Sequence, residues 1–345
     1  MSQVLVEVLR GSLVESGHAG SIAVADAAGG TLLAAGQADA PVFPRSAVKP
    51  LQALPLVASG AADHFGLTAA EIALASGSHG GGPAHVATAA SMLEKAGCDE
   101  QDLACGSHWP LDDDAARALA ARGDRPTPIH NNCSGKHAGF LCLARERGLD
   151  PRGYVRPEHA AMCEVTAALA AATREPLATV VPGIDGCSIP TFPLPLTALA
   201  AAWARFGTGD GLPAELAAAA ARLRDAIRAH PEMVAGPGRF DTRIIQASRG
   251  AILVKSGAEG TVCAAIPAVG LGIAVKIADG AARAAQVALA TVLEACGGSA
   301  LDDATRAELA ECASPVLKNW NGVEIGAVRP AEALRRHLHE GLSLP

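Results

Sequence analysis

Ser46-Ala47-Val48-Lys49 carries a hydroxyl and an amine three residues apart, just ahead of an apolar run that begins at Leu51. Read as a helix that starts near Ser46, the spacing brings both side chains to one face. A serine hydroxyl is a poor nucleophile until a neighbour takes its proton. A lysine can do so once burial or nearby positive charge lowers its pKa. A helix N-terminus beneath the serine would also favour an oxyanion forming there. Pro50 fits such a helix only within the first turn, where its missing N–H costs nothing. The same residue types also occur at ordinary solvated helix starts, so the rest of the chain has to decide.

Lys255-Ser256-Gly257 is the second feature. It ends the apolar run Ala251-Ile252-Leu253-Val254, about 200 residues downstream. In serine β-lactamases and penicillin-binding proteins a Lys-Ser/Thr-Gly triplet on an edge strand faces the Ser-x-x-Lys helix. The set is incomplete here. There is no Ser-Asp-Asn, and the single tyrosine, Tyr154, stands in Tyr-Val-Arg and not in Tyr-x-Asn. The fold analogy stands, while the cell-wall chemistry does not.

Three polar turns complete the inventory. Ser76-Gly77-Ser78-His79-Gly80-Gly81-Gly82 offers two hydroxyls and an imidazole in a loop whose glycines permit close approach to a ligand. Ile129-His130-Asn131-Asn132-Cys133-Ser134-Gly135-Lys136-His137 runs into an apolar helix that Ser134 can cap. Asp185-Gly186-Cys187-Ser188 is a compact polar turn between apolar flanks. Two cysteines from two such turns could share a zinc with a nearby histidine or a neutral lysine. The chain has nine cysteines, an odd number with no Cys-x-x-Cys, so the others read as small buried hydrophobes in a reducing compartment.

Taken in order, Phe43-Pro44-Arg45-Ser46-Ala47-Val48-Lys49-Pro50, Ser76-Gly77-Ser78-His79, His130 to His137, Asp185-Gly186-Cys187 and Lys255-Ser256-Gly257 resemble the rhizobial-type L-asparaginases, the asparaginase II or class 3 family. The resemblance covers nearly the whole chain. It implies a serine β-lactamase-like fold and hydrolysis of L-asparagine to L-aspartate and ammonia. It implies two Ser–Lys pairs, Ser46 with Lys49 and Ser78 with Lys255. It implies a zinc ion held by Cys133, Cys187 and Lys136, substrate-binding roles for Arg45, Asp185 and His137, and a homodimer. Asparaginases with threonine nucleophiles are excluded on other grounds. No Thr-Gly-Gly-Thr occurs, and internal cleavage at Gly260-Thr261 would sever the C-terminal strands from Lys255. The alternative is another serine amidase or esterase on the same frame, or a binding protein that kept the fold.

These residues need a scaffold, and the remaining text supplies one. Residues 4–9, 21–25 and 31–35 read as short strands, as do 251–255, 262–267 and 272–277, with 323–328 as an edge strand. Helices are expected at 69–76, 83–96, 113–122, 135–147, 158–173, 194–206, 213–229 and 281–296, with a short one after Leu301. The expected fold is therefore α/β (α+β). It is a mainly antiparallel sheet from both chain ends, about 1–45 and 243–345, covered by helices, with a helical middle over about 46–242 in a single catalytic domain. Aromatics make up 3% and the net charge is −7, which argues against nucleic-acid binding. No apolar run is long enough for a membrane helix and no signal peptide is visible, so the expected setting is cytoplasmic.

Overall fold

A computed structural model describes residues 3–341. Met1 and Ser2, which open the N-terminal segment read for a signal peptide, lie outside the described residues. The chain divides into two compact units. One comprises the described residues up to Ala47 with Pro193–Gly211 and Arg243 onward; the other comprises Val48–Phe192 and Leu212–Thr242.

The first unit holds the sheet. Its strands are β1 (Gln3–Arg10), β2 (Leu13–Asp26), β3 (Thr31–Ala35), β4 (Leu253–Ser256), β5 (Thr261–Ile266), β6 (Leu271–Ile277), β7 (Val316–Lys318) and β8 (Glu324–Pro330). The order is β7-β8-β1-β2-β6-β5-β4, with β3 pairing β2 off that path. Every pairing is antiparallel. Both chain ends thus build one sheet, as the alternation of apolar runs and turns predicts. Helices Leu196–Thr208 and Ala282–Cys296 both pack on β5 and β6. All six residues of Thr261–Ile266 are buried, so both faces of that strand are covered. Cover on two faces is why the segment reads as a continuous apolar run and not as an alternating one. The 323–328 segment lies one position inside the edge, because Val316–Lys318 pairs outside it.

Close helix-to-sheet approach has a local cause. A Cβ on Gly272 of β6 would lie 2.0 Å from the Ala200 carbonyl oxygen and 2.3 Å from the Ala204 nitrogen. The helix backbone rests directly on the strand, and only glycine leaves room. Gly272→Ala is expected to destabilise the protein by about 3 kcal/mol through overpacking, read from the denaturant midpoint at unchanged slope.

The second unit is mainly helical. Its centre is helix Ser134–Glu146, in which every residue from Ser134 to Ala144 is buried. Helices Ala69–Ala75, Pro83–Lys95 and Ala160–Thr173 pack around it. The sequence lacks a polar stripe there, as a helix buried on all sides requires. Ser134, Lys136 and His137 are the exceptions, and all three sit in its first turn. Besides the single turn Ala61–His64, two longer helices went unread in the sequence, Phe240–Ala247 and Glu332–Gly341. The latter buries only Leu334 and Leu338, too narrow a stripe to stand out. No helix among the described residues is long and apolar enough to cross a membrane.

Candidate active site

In the first unit the decisive local feature is the turn Arg45–Val48, a 3-10 helix. The α-helix begins only at Lys49, with Pro50 in its first turn, and ends at Gln52. This corrects the reading of a helix starting near Ser46: a four-residue helix that opens after the serine gives no dipole to steady an oxyanion there. Arg45 has φ +52°, a left-handed conformation that costs a non-glycine residue about 1–3 kcal/mol. The turn is held by its surroundings. Trp203 donates its indole N–H to the Ala47 carbonyl at 3.2 Å. A Cβ on Gly257 would lie 2.6 Å from the Pro44 carbonyl oxygen and 3.1 Å from the Ala47 nitrogen. Gly257 of the Lys255-Ser256-Gly257 triplet therefore lies against the Ser46 turn. Lys255, on β4, is 1% exposed, and its ammonium donates to the Ser256 carbonyl at 2.7 Å.

The second unit gathers most of the remaining residues. Lys49 is fully buried. Its amine donates to the Gly77 carbonyl at 2.6 Å and lies 3.4 Å from the Asn132 carbonyl. Burial pulls its pKa below the ordinary lysine range, against the opposing pull of Cys133. Ser78 follows Gly77 directly. Its backbone N–H donates to Val234 at 2.7 Å, while its hydroxyl oxygen is buried without a hydrogen-bond partner. His79 accepts the Gly81 N–H on Nδ1 at 3.2 Å, so Nε2 carries the proton and donates to Ser134 Oγ at 3.0 Å. Burial holds this ring neutral. The bond corrects the expected role of Ser134. Its hydroxyl ties down the Ser78 loop, and the helix N-cap is Cys133, without a side-chain capping bond.

Cysteines 133 and 187 come together from their two turns. Asn131 stiffens the first turn, donating to the Cys105 and Gly106 carbonyls at 2.9 and 3.1 Å and accepting the Cys133 N–H at 2.8 Å. The second turn closes with Ser188 at φ +74° and the Ser188 N–H on the Asp185 carbonyl at 2.8 Å. The Cys187 thiol hydrogen-bonds to Cys133, which together with Lys49 and Lys136 holds Cys133 well below the usual thiol range and pushes Cys187 up. Lys136 donates to Cys187 Sγ at 3.1 Å. Burial alone would lower the Lys136 pKa, but the two sulfurs and Asp185 raise it above the ordinary range. Asp185 also accepts from Cys187 Sγ at 3.7 Å. His137 is fully buried, and burial, with Lys136 and Lys49 adding to it, holds its pKa well below the ordinary histidine range.

Of the predicted residues, Lys49, Ser78, Cys133, Lys136, His137, Asp185 and Cys187 gather in the second unit, and Arg45, Ser46 and Lys255 belong to the first. Sequence reasoning missed the parts played by Asn131, Ser134 and Tyr154. Only the rarity of tyrosine in the chain marked the last of them.

A family model described as L-asparaginase II matches residues 6–330. The chain belongs to the L-asparaginase II family. That membership makes it an amidohydrolase of the asparaginase type, acting on a small molecule. Curated proteins give no match. Among solved structures, a β-lactamase from Mycobacterium bovis is similar at 17% identity and a TM-score of 0.37, over 85% of this chain and 95% of that one. A mutant of simvastatin synthase from Aspergillus terreus is similar at 14% identity and a TM-score of 0.37, over 75% and 84%. The family membership rests on the sequence match alone.

Proposed function

We propose that this family member hydrolyses L-asparagine to L-aspartate and ammonia, with Ser46 as nucleophile and Lys49 as its base. The observation that carries the reading is the full burial of Lys49, with its pKa drawn down, three residues after a serine on a strained turn. A lysine in that state holds a neutral amine near pH 7 more readily than a solvated one. The Ser46 oxygen attacks the side-chain amide carbon as its proton passes to Lys49. The C–N bond then breaks, and the lysine returns the proton to the leaving ammonia. Water cleaves the resulting β-aspartyl ester. The family resemblance assigns Arg45 to a substrate carboxylate, a task its planar fork suits, and Asp185 to the α-ammonium. It also assigns Ser78 and Lys255 as the second Ser–Lys pair, and a homodimer as the assembly. Ammonia release from L-asparagine tests the reading. A panel of L-glutamine, a p-nitrophenyl ester and a β-lactam separates it from another serine amidase or esterase. Turnover of the ester or of another amide with none of asparagine would sink the substrate assignment.

The same resemblance implies zinc. Among the described residues no group of three or more His, Cys, Asp or Glu side chains is placed to hold a metal, so a site here depends on a lysine. The donor set fits. Two buried sulfurs in hydrogen-bond contact and the Lys136 amine 3.1 Å from one of them converge in one place. Cys133, Cys187 and Lys136 would hold the ion, each bound in its deprotonated form. Zinc bound there supplies a Lewis acid for substrate oxygens. Protein purified without added metal is expected to contain zinc, and Cys133→Ser to lose it by elemental analysis. Full zinc content in that variant would overturn the ligand set.

A further inference from the structure

Tyr154 is the only tyrosine in the chain and is 1% exposed. Its hydroxyl accepts the Ala104 backbone N–H at 3.0 Å and lies 2.6 Å from His137 Nδ1. The two rings meet edge to face, with centroids 5.5 Å apart. An amide N–H can only donate, so the phenol proton has to go elsewhere, and Nδ1 is its only acceptor among the described residues. Nδ1 therefore presents a lone pair, and the neutral ring carries its proton on Nε2. Nε2 is buried and has no hydrogen-bond partner. A buried donor left unpaired is rare in a folded protein and is relieved by a ligand acceptor.

We infer that Tyr154 is a positioning residue that locks His137 in the Nε2–H tautomer, leaving that N–H as a fixed donor for an oxygen of the substrate. The donor sequence runs from Ala104 N–H to Tyr154 O–H to His137 Nδ1, and the Nε2–H is its free end. Nothing in this arrangement requires His137 to exchange a proton; the ring supplies direction. The identity of the acceptor, a carboxamide or carboxylate oxygen, rests on the asparagine reading. The tautomer does not.

The two parts are therefore tested separately. Nitrogen-15 NMR of histidine-labelled, substrate-free protein is expected to show His137 as the Nε2–H tautomer, and Tyr154→Phe is expected to lose that single state. A wild-type spectrum with the proton on Nδ1 overturns the inference, even if Tyr154→Phe fails to fold. Kinetically, Tyr154→Phe is expected to lower kcat/KM for asparagine about tenfold, mainly through KM, the scale of one lost hydrogen bond. His137→Gln keeps an N–H close to the Nε2 position and offers nothing to Tyr154. Adding Tyr154→Phe to it should then change kcat/KM by less than about twofold. An equal loss in both backgrounds means that Tyr154 acts only through packing, which overturns the positioning role. Absence of asparagine turnover in the wild type would defeat the substrate assignment and leave the tautomer result standing.

Discussion

Ser46→Ala is expected to lower kcat for L-asparagine by about 10⁴-fold or more, with little change in stability, because removing a nucleophile leaves only binding and electrostatic contributions. Ser46 is half-buried in a turn braced by Trp203 and Gly257. Loss of one hydroxyl there breaks none of those contacts. Ser78→Ala is the necessary partner experiment. The Ser78 hydroxyl is buried, lacks a partner and follows the carbonyl that holds Lys49, so it has its own claim on the chemistry. With Ser78 as a supporting group, its removal should cost about 10²-fold, the scale of one positioned hydrogen-bonding group. Rapid-quench kinetics on both variants reads the difference. Near-normal turnover in Ser46→Ala together with inactivity in Ser78→Ala would reverse the assignment.

Lys49→Met should lower kcat by roughly 10³-fold or more, since a positioned base contributes on the order of 10²–10⁴ and the serine has no other proton acceptor assigned to it. Methionine matches the length of the stem and suits an apolar site. Stability should change little, because removal of a buried polar amine offsets the donor lost by the Gly77 and Asn132 carbonyls. Lys49→Arg discriminates further. Arginine keeps the charge but cannot lose its proton, so it should be as inactive as methionine. Retained activity in Lys49→Arg would show that charge, and not base character, is what the position supplies. The pH profile follows from the same cause. Burial lowers the Lys49 pKa, and only the neutral amine accepts a proton. Wild-type kcat/KM should therefore fall as pH drops through that lowered pKa, on a limb below the ordinary lysine range.

Much of this was readable in the sequence, for identifiable reasons. Strand Thr261–Ile266 declares itself through the apolar run Val262–Ile266, and Leu271–Ile277 through Leu271–Val275, because helices pack on both strands. Helix Ala69–Ala75 carries its own start signal, the Thr68–Glu71 capping box. The site residues stood out because reactive types cluster in short glycine-containing turns. What stayed hidden depends on distant partners. β2 runs for 14 residues, but its first five are exposed and carry no apolar pattern, so only 21–25 read as a strand. Ser46 looked like a helix start because nothing local reveals that Trp203 and Gly257 brace Arg45–Val48 as a 3-10 turn. Tyr154 gains its meaning from Ala104, 50 residues earlier, and from His137, 17 residues away.

The sheet of the first unit also sets a timetable for biosynthesis. Glu7 and Arg329, 322 residues apart in sequence, are paired across β1 and β8. The strand that completes this pairing leaves the ribosome 322 residues after β1. Until then β1 has one unsatisfied edge and β2 waits for β6, while the helices of Val48–Phe192 can already pack among themselves. Long-range antiparallel closure of this kind slows folding and leaves strand edges open to other chains in the interval. Loss of the C-terminal strands would prolong that interval indefinitely, so truncation there endangers solubility before it touches chemistry.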